Sequence, residues 1–187
     1  MIELIAITFS GLFISNILIT NLIGLPIFKE KQVSIEPAIK IGLLTTLISV
    51  LSMAVIYPLN KVLLDESAYL IPLFTILVIA LVSMLVNIVA KKINYPLKEN
   101  EVFLPMLSFN SLIIFVVLLG SNQGTFFHSV FYVLGAGLGY TLLMLMMVTI
   151  KPRLELPGMP KAFKGLPIML ITLGLIALTF MGLAGLF

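Results

Sequence analysis

The 187-residue chain has no cysteine, a single histidine and only 10% charged residues. Each scarcity closes off chemistry. Without thiols the chain forms no disulfide and offers no thiolate to zinc or to an iron–sulfur cluster. His128 has no second imidazole beside it, so it cannot assemble a metal site within this chain; its place at the start of a predicted span reads as interfacial. There is no Gly-rich phosphate loop, no catalytic Ser/His pair and, within the predicted spans, no paired carboxylates. The signature of an enzyme in its own right is missing.

Charge is also missing in blocks. Uncharged runs cover 4–28, 41–60, 67–90, 102–150 and 165–187, in a chain that is 60% hydrophobic with a mean hydropathy of +1.22. That composition excludes a soluble globular domain. Each run meets the length of roughly 20 residues that a membrane-crossing helix needs. The run 102–150 is twice too long for one span, and Ser121-Asn122-Gln123-Gly124-Thr125 reads as the turn that divides it. Short alternating strands, the mark of a membrane barrel, are not seen. The expectation is an all-α integral membrane protein with six transmembrane helices, at about 3–27, 38–60, 68–90, 102–120, 127–150 and 166–187. The opening Met-Ile-Glu lacks a basic region and no small-residue cleavage site follows, so the first helix is expected to stay in the mature protein.

The net charge of +3 is a statement about orientation rather than nucleic acid. Ten of the 11 Lys and Arg fall in the loops after helices 1, 3 and 5; Lys61 alone lies after helix 2 and none after helix 4. The positive-inside rule places those three loops in the cytoplasm and both termini outside the cell (inner) membrane. Helix 1 then enters from outside and helix 4 from inside. Any likeness between the halves, about 1–92 and 101–187, is therefore an inverted repeat within a single membrane domain.

Both halves open on a polar, broken helix. Ser15–Phe28 carries Asn16, Asn21 and a Gly24-Leu25-Pro26 break; Leu104-Pro105 through Asn110-Ser111 opens the second half. Proline removes a backbone donor, and a buried amide needs a partner. Two readings stand for these residues and for Asn87. One is helix–helix hydrogen bonding, averaging about 0.6 kcal/mol per contact. The other is the lining of an ion path or subunit interface by Asn16, Asn21, Gly24, Asn110 and Ser111. No Asp, Glu, Lys or Arg lies deep in a span, which counts against a self-contained proton pump. Gly135-Ala136-Gly137-Leu138-Gly139 reads as close helix packing, and Met144 to Met147 as packing or lipid contact.

The chain resembles the RnfA/RnfE–NqrD/NqrE family along essentially its whole length. The resemblance is carried by Ser15-Asn16 through Gly24-Leu25, by Val102-Phe103-Leu104-Pro105 through Asn110, and by Pro160, Ala162 to Gly165, Leu170-Ile171-Thr172 and Phe180 to Leu183. Both termini outside looks like the RnfA/NqrE branch. The resemblance implies a non-catalytic six-helix subunit of an ion-translocating electron-transport complex, paired with a homologous subunit of opposite orientation. In the family each of the two subunits gives two cysteines to a 2Fe–2S cluster, and flavin sits on partner subunits. Here Pro26 and Ser111 stand at the cysteine positions, so the cluster is expected to be absent and this chain to hold no cofactor of its own. The rival reading is the substrate-binding S component of an energy-coupling-factor transporter. Its Ala-x-x-x-Ala docking face is not seen on helix 1, where Ile, Leu and Phe dominate.

Overall fold

The computed structural model describes residues 2–14, 35–63, 70–92, 111–154 and 160–183. Among them every element is helical. α1 (Ile2–Phe9) runs into a π-helical turn (Ser10–Ile14), followed by α2 (Ile35–Leu63), α3 (Ile71–Lys92), α4 (Ser111–Ser121), α5 (Phe126–Leu154) and α6 (Leu166–Leu183). A bilayer leaves no water to satisfy the backbone, so these apolar segments must close their own hydrogen bonds as helices. α2, α3 and α5 are long and apolar enough to cross a membrane in their described lengths.

The expected turn between helices 4 and 5 is present and is built from its own residues. Gly124 takes a positive φ of 76°. The Thr125 hydroxyl accepts from the His128 N–H at 3.3 Å, which caps the first turn of α5. At the far end α5 continues past Lys151, Pro152 and Arg153 to Leu154, one turn beyond the expected end at 150. Cations are favoured at the negative end of a helix dipole, so these charges terminate the helix from within rather than from a loop.

Depth in the fold is unequal. The apolar window of α5 is 61% buried and that of α2 50%, against 22% for α3. α2 and α5 form the centre, and their mutual contact is the most extensive in the molecule. α1 and α6 flank α5, α3 and α4 flank α2, α4 also reaches α5, and the π turn of α1 touches α6, where Phe13 meets Phe180 edge-on at 5.2 Å. Most membrane-level hydroxyls are satisfied locally: Thr8, Thr46, Ser49, Thr75, Thr141 and Thr172 each donate to the carbonyl four residues back at 2.8–2.9 Å.

Two contacts fix which ends lie together. The Tyr57 hydroxyl, near the end of α2, donates to the Gly124 carbonyl at 2.9 Å. His128 Nε2 lies 4.0 Å from Glu3 Oε2. The start of α1, the end of α2 and the α4–α5 turn thus share one end of the bundle.

Candidate functional site

The central α2–α5 crossing depends on two glycines. A Cβ added at Gly42 would sit 2.5 Å from Thr141 Oγ1, and one added at Gly137 would sit 2.7 Å from Thr46 Cγ2 and Oγ1. Position 42 therefore meets 141 and position 46 meets 137, which makes the helices antiparallel. Each helix presents the same motif, glycine followed four residues later by threonine, and each threonine seats its hydroxyl on its own glycine's carbonyl. Thr46 and Thr141 thereby turn a buried hydroxyl inward and pack only carbon and a satisfied oxygen against the neighbour.

A second glycine contact holds α1 on the other side of α5. At Gly135 a Cβ would lie 2.2 Å from the Thr8 carbonyl oxygen, and at Gly11 it would lie 2.9 Å from the Tyr132 carbonyl oxygen. Here backbone approaches backbone. The Gly135–Gly139 stretch is thus helix packing, as its spacing indicated, and Met144 and Met147 are buried core.

These contacts fall on a relation between the halves that is invisible when residues are read one by one. Gly42, Thr46 and Pro72 recur 95 residues later as Gly137, Thr141 and Pro167. Pro72 and Pro167 each hold the second position of their helices, α3 and α6, where a missing N–H costs no intrahelical bond. Some helix contacts pair up in the same way, α1 on α5 with α4 on α2 and α3 on α4 with α6 on the π turn of α1, whereas the α4–α5 contact has no comparable α1–α2 contact among the described residues. A self-comparison at that single offset is the signal that exposes it.

Of the sequence-derived site residues, Ser111 is the exposed first residue of α4. Asn16, Asn21, Gly24, Pro26 and Asn110 lie outside the described residues. Asn87, on α3, is half-buried with its Oδ1 unpaired among the described residues. His128 is partly exposed, at the bundle end described above. Among the described residues no group of three His, Asp or Glu side chains comes together.

The chain also matches a known family along nearly its whole length. Residues 4–187 fit the family model described as "Rnf-Nqr subunit, membrane protein". The chain belongs to the Rnf-Nqr subunit family. The A subunit of the Na(+)-translocating ferredoxin:NAD(+) oxidoreductase complex of Acetobacterium woodii is 33% identical over 186 residues, covering 97% of each chain. The A subunit of the ion-translocating oxidoreductase complex of Azoarcus sp. is 36% identical over 177 residues, covering 92% of each. Its namesake in Azotobacter vinelandii is 33% identical over 191 residues, covering all of this chain and 98% of the other.

Within this Rnf-Nqr member the donor set does not suit a thiolate-ligated cluster. The sequence holds no cysteine, and proline at 26 has no side-chain donor. A serine hydroxyl at 111 is a hard, weakly acidic ligand in place of a soft thiolate. The two positions together leave this chain without the pair of sulfur ligands that the resemblance implied.

Proposed function

We propose that this Rnf-Nqr protein is a membrane subunit of an ion-translocating electron-transport complex and contributes no iron–sulfur ligands of its own. The observation that carries the reading is the match of residues 4–187 to the family, joined to near full-length relatives named as the A subunits of ion-translocating oxidoreductase complexes. It sits in the cell membrane with its basic end in the cytoplasm and both termini outside. The chain is one domain of two inverted repeats, about 1–92 and 101–187. The antiparallel Gly-Thr crossing and the matching helix contacts support that division. A homologous six-helix subunit of opposite orientation is its partner, flavin is carried on other subunits, and Asn16, Asn21, Gly24, Asn110 and Ser111 line the interface or an ion path.

The test is a mild-detergent pull-down of the tagged protein, with mass spectrometry and iron and flavin analysis of the eluate. The expected eluate contains a second six-helix homologue and flavin-bearing subunits. A stoichiometric iron–sulfur signal assignable to this chain would overturn the cluster-free assignment; recovery with ATPases and no redox partner would overturn the complex.

Orientation has its own check, which the natural lack of cysteine makes direct. A Thr125→Cys variant should react with a membrane-impermeant maleimide in intact cells, and Lys164→Cys only after permeabilisation. The reverse pattern would invert the topology.

A further inference from the structure

Two hydroxyls depart from the rule that the others obey. Thr45 Oγ1 and Ser52 Oγ, both on α2 and both fully buried, make no hydrogen bond to a described residue. Thr46 and Ser49 on the same helix take the carbonyl four residues back; Thr45 and Ser52 leave that option unused. They sit one residue, about 100° around the axis, behind Thr46 and Met53. That is off the row that meets α5, and the other described helices packed on α2 are α3 and α4, which also touch each other. On α3 the Asn87 Oδ1 is a third polar atom without a described partner.

The other half carries different side chains at the corresponding places, one of them the buried hydroxyl-bearing Tyr140. The 95-residue offset takes Thr45 to Tyr140, Ser49 to Met144, Ser52 to Met147 and Asn87 to Gly182. Helix packing in this fold therefore does not require a hydroxyl at the place of Ser52, and a buried hydroxyl with no described protein partner calls for a ligand. A hydroxyl both donates and accepts, and hydroxyls seven residues apart on a helix stand about 10 Å from one another along its axis. They do not converge on one ion, and no carboxylate is placed at their depth. Water suits them, because a buried water joins roughly three otherwise unsatisfied polar groups.

We propose that the wedge between α2, α3 and α4 holds ordered internal water bound to Thr45 and Ser52, with Asn87 adding a further acceptor. As a hydrated track, it gives a proton or a small hydrated cation a route inside this chain. That functional role rests on the reading of the protein as part of an ion-translocating complex; the water does not.

The test is pulsed hydroxyl-radical labelling of the purified full-length protein in lipid nanodiscs, read by peptide mass spectrometry. Met53 adjoins Ser52 and is fully buried, as are Met144 and Met147 in the other half. Radicals formed on bound water reach Met53 and not the other two. Met53 should be oxidised severalfold faster than Met144 and Met147, and should fall to their rate in a Thr45→Val, Ser52→Ala double variant. That variant should also melt at a lower temperature, since it removes hydrogen bonds to water. Equal labelling of the three methionines in the unmodified protein overturns the proposal. So does a double variant with an unchanged or raised melting temperature, the result of deleting dry, unpaired hydroxyls. Protection of Met53 by sodium chloride but not by choline chloride assigns the wedge to a dehydrated cation and overturns the water. None of these outcomes alters membership of the complex, which the pull-down reads separately.

Discussion

Replacing Gly135 with alanine is expected to destabilise the protein by about 3 kcal/mol, the upper part of the overpacking range. The new Cβ would lie 2.2 Å from the Thr8 carbonyl oxygen and 2.9 Å from Thr8 C and Cα. All three are backbone atoms, so no rotamer change relieves the clash and α1 must move off α5. Gly174→Ala and Gly182→Ala are the matched controls, because a Cβ at either position meets nothing within 4 Å. Both should be neutral or stabilising by up to about 1 kcal/mol, the usual gain of alanine over glycine in a helix. Melting of the detergent-solubilised variants, followed by circular dichroism, separates the cases. Identical midpoints for Gly135→Ala and Gly174→Ala would remove the backbone contact from the account.

The second large effect belongs to the central crossing and is conditional. Gly42→Ala places a methyl 2.5–2.8 Å from three side-chain atoms of Thr141, at a cost of about 1–3 kcal/mol. Thr141→Gly alone loses packing and about 0.3 kcal/mol of helix propensity. Together they exchange which helix carries the protruding side chain, so the double variant should be more stable than the sum of the singles predicts. The coupling should reach about 1–2 kcal/mol, within the range found for residues in direct contact. Strict additivity would mean that the two positions do not touch.

How far the sequence went depended on what physical signal each feature leaves. The six helices were legible because the charges that bound them are few: Lys61, Lys91-Lys92 and Lys151 mark ends that the structure places within one turn or so. The turn at 121–125 carries no charge and was legible instead from its Ser-Asn-Gln-Gly-Thr composition. Which helices pair was not. In lipid an apolar side chain is equally at home against a neighbour or an acyl chain, so hydrophobic periodicity loses its meaning and only small residues report contact. Gly135 to Gly139 gave α5 away by their density. Gly42 stands alone on α2 and was silent until set beside its counterpart. Of the candidate site, Asn16, Asn21, Gly24, Pro26 and Asn110 fall outside the described residues, and Ser111 is exposed at the start of α4. Thr45 and Ser52 could not be singled out in advance, because serine and threonine in helices ordinarily satisfy themselves on the preceding turn.

The crossing of α2 and α5 has the form of an isologous interface folded into one polypeptide: position i meets j, and j meets i, as between identical copies related by a two-fold axis. Between identical copies, any change at one site is imposed on both. Joined in a single chain, the halves are free of that constraint. Gly42 with Thr141 and Gly137 with Thr46 keep the shared register, while Ser52 and Met147, or Thr45 and Tyr140, diverge around it. The crossing keeps one Gly-Thr register on α2 and α5 while the residues around it differ in chemistry.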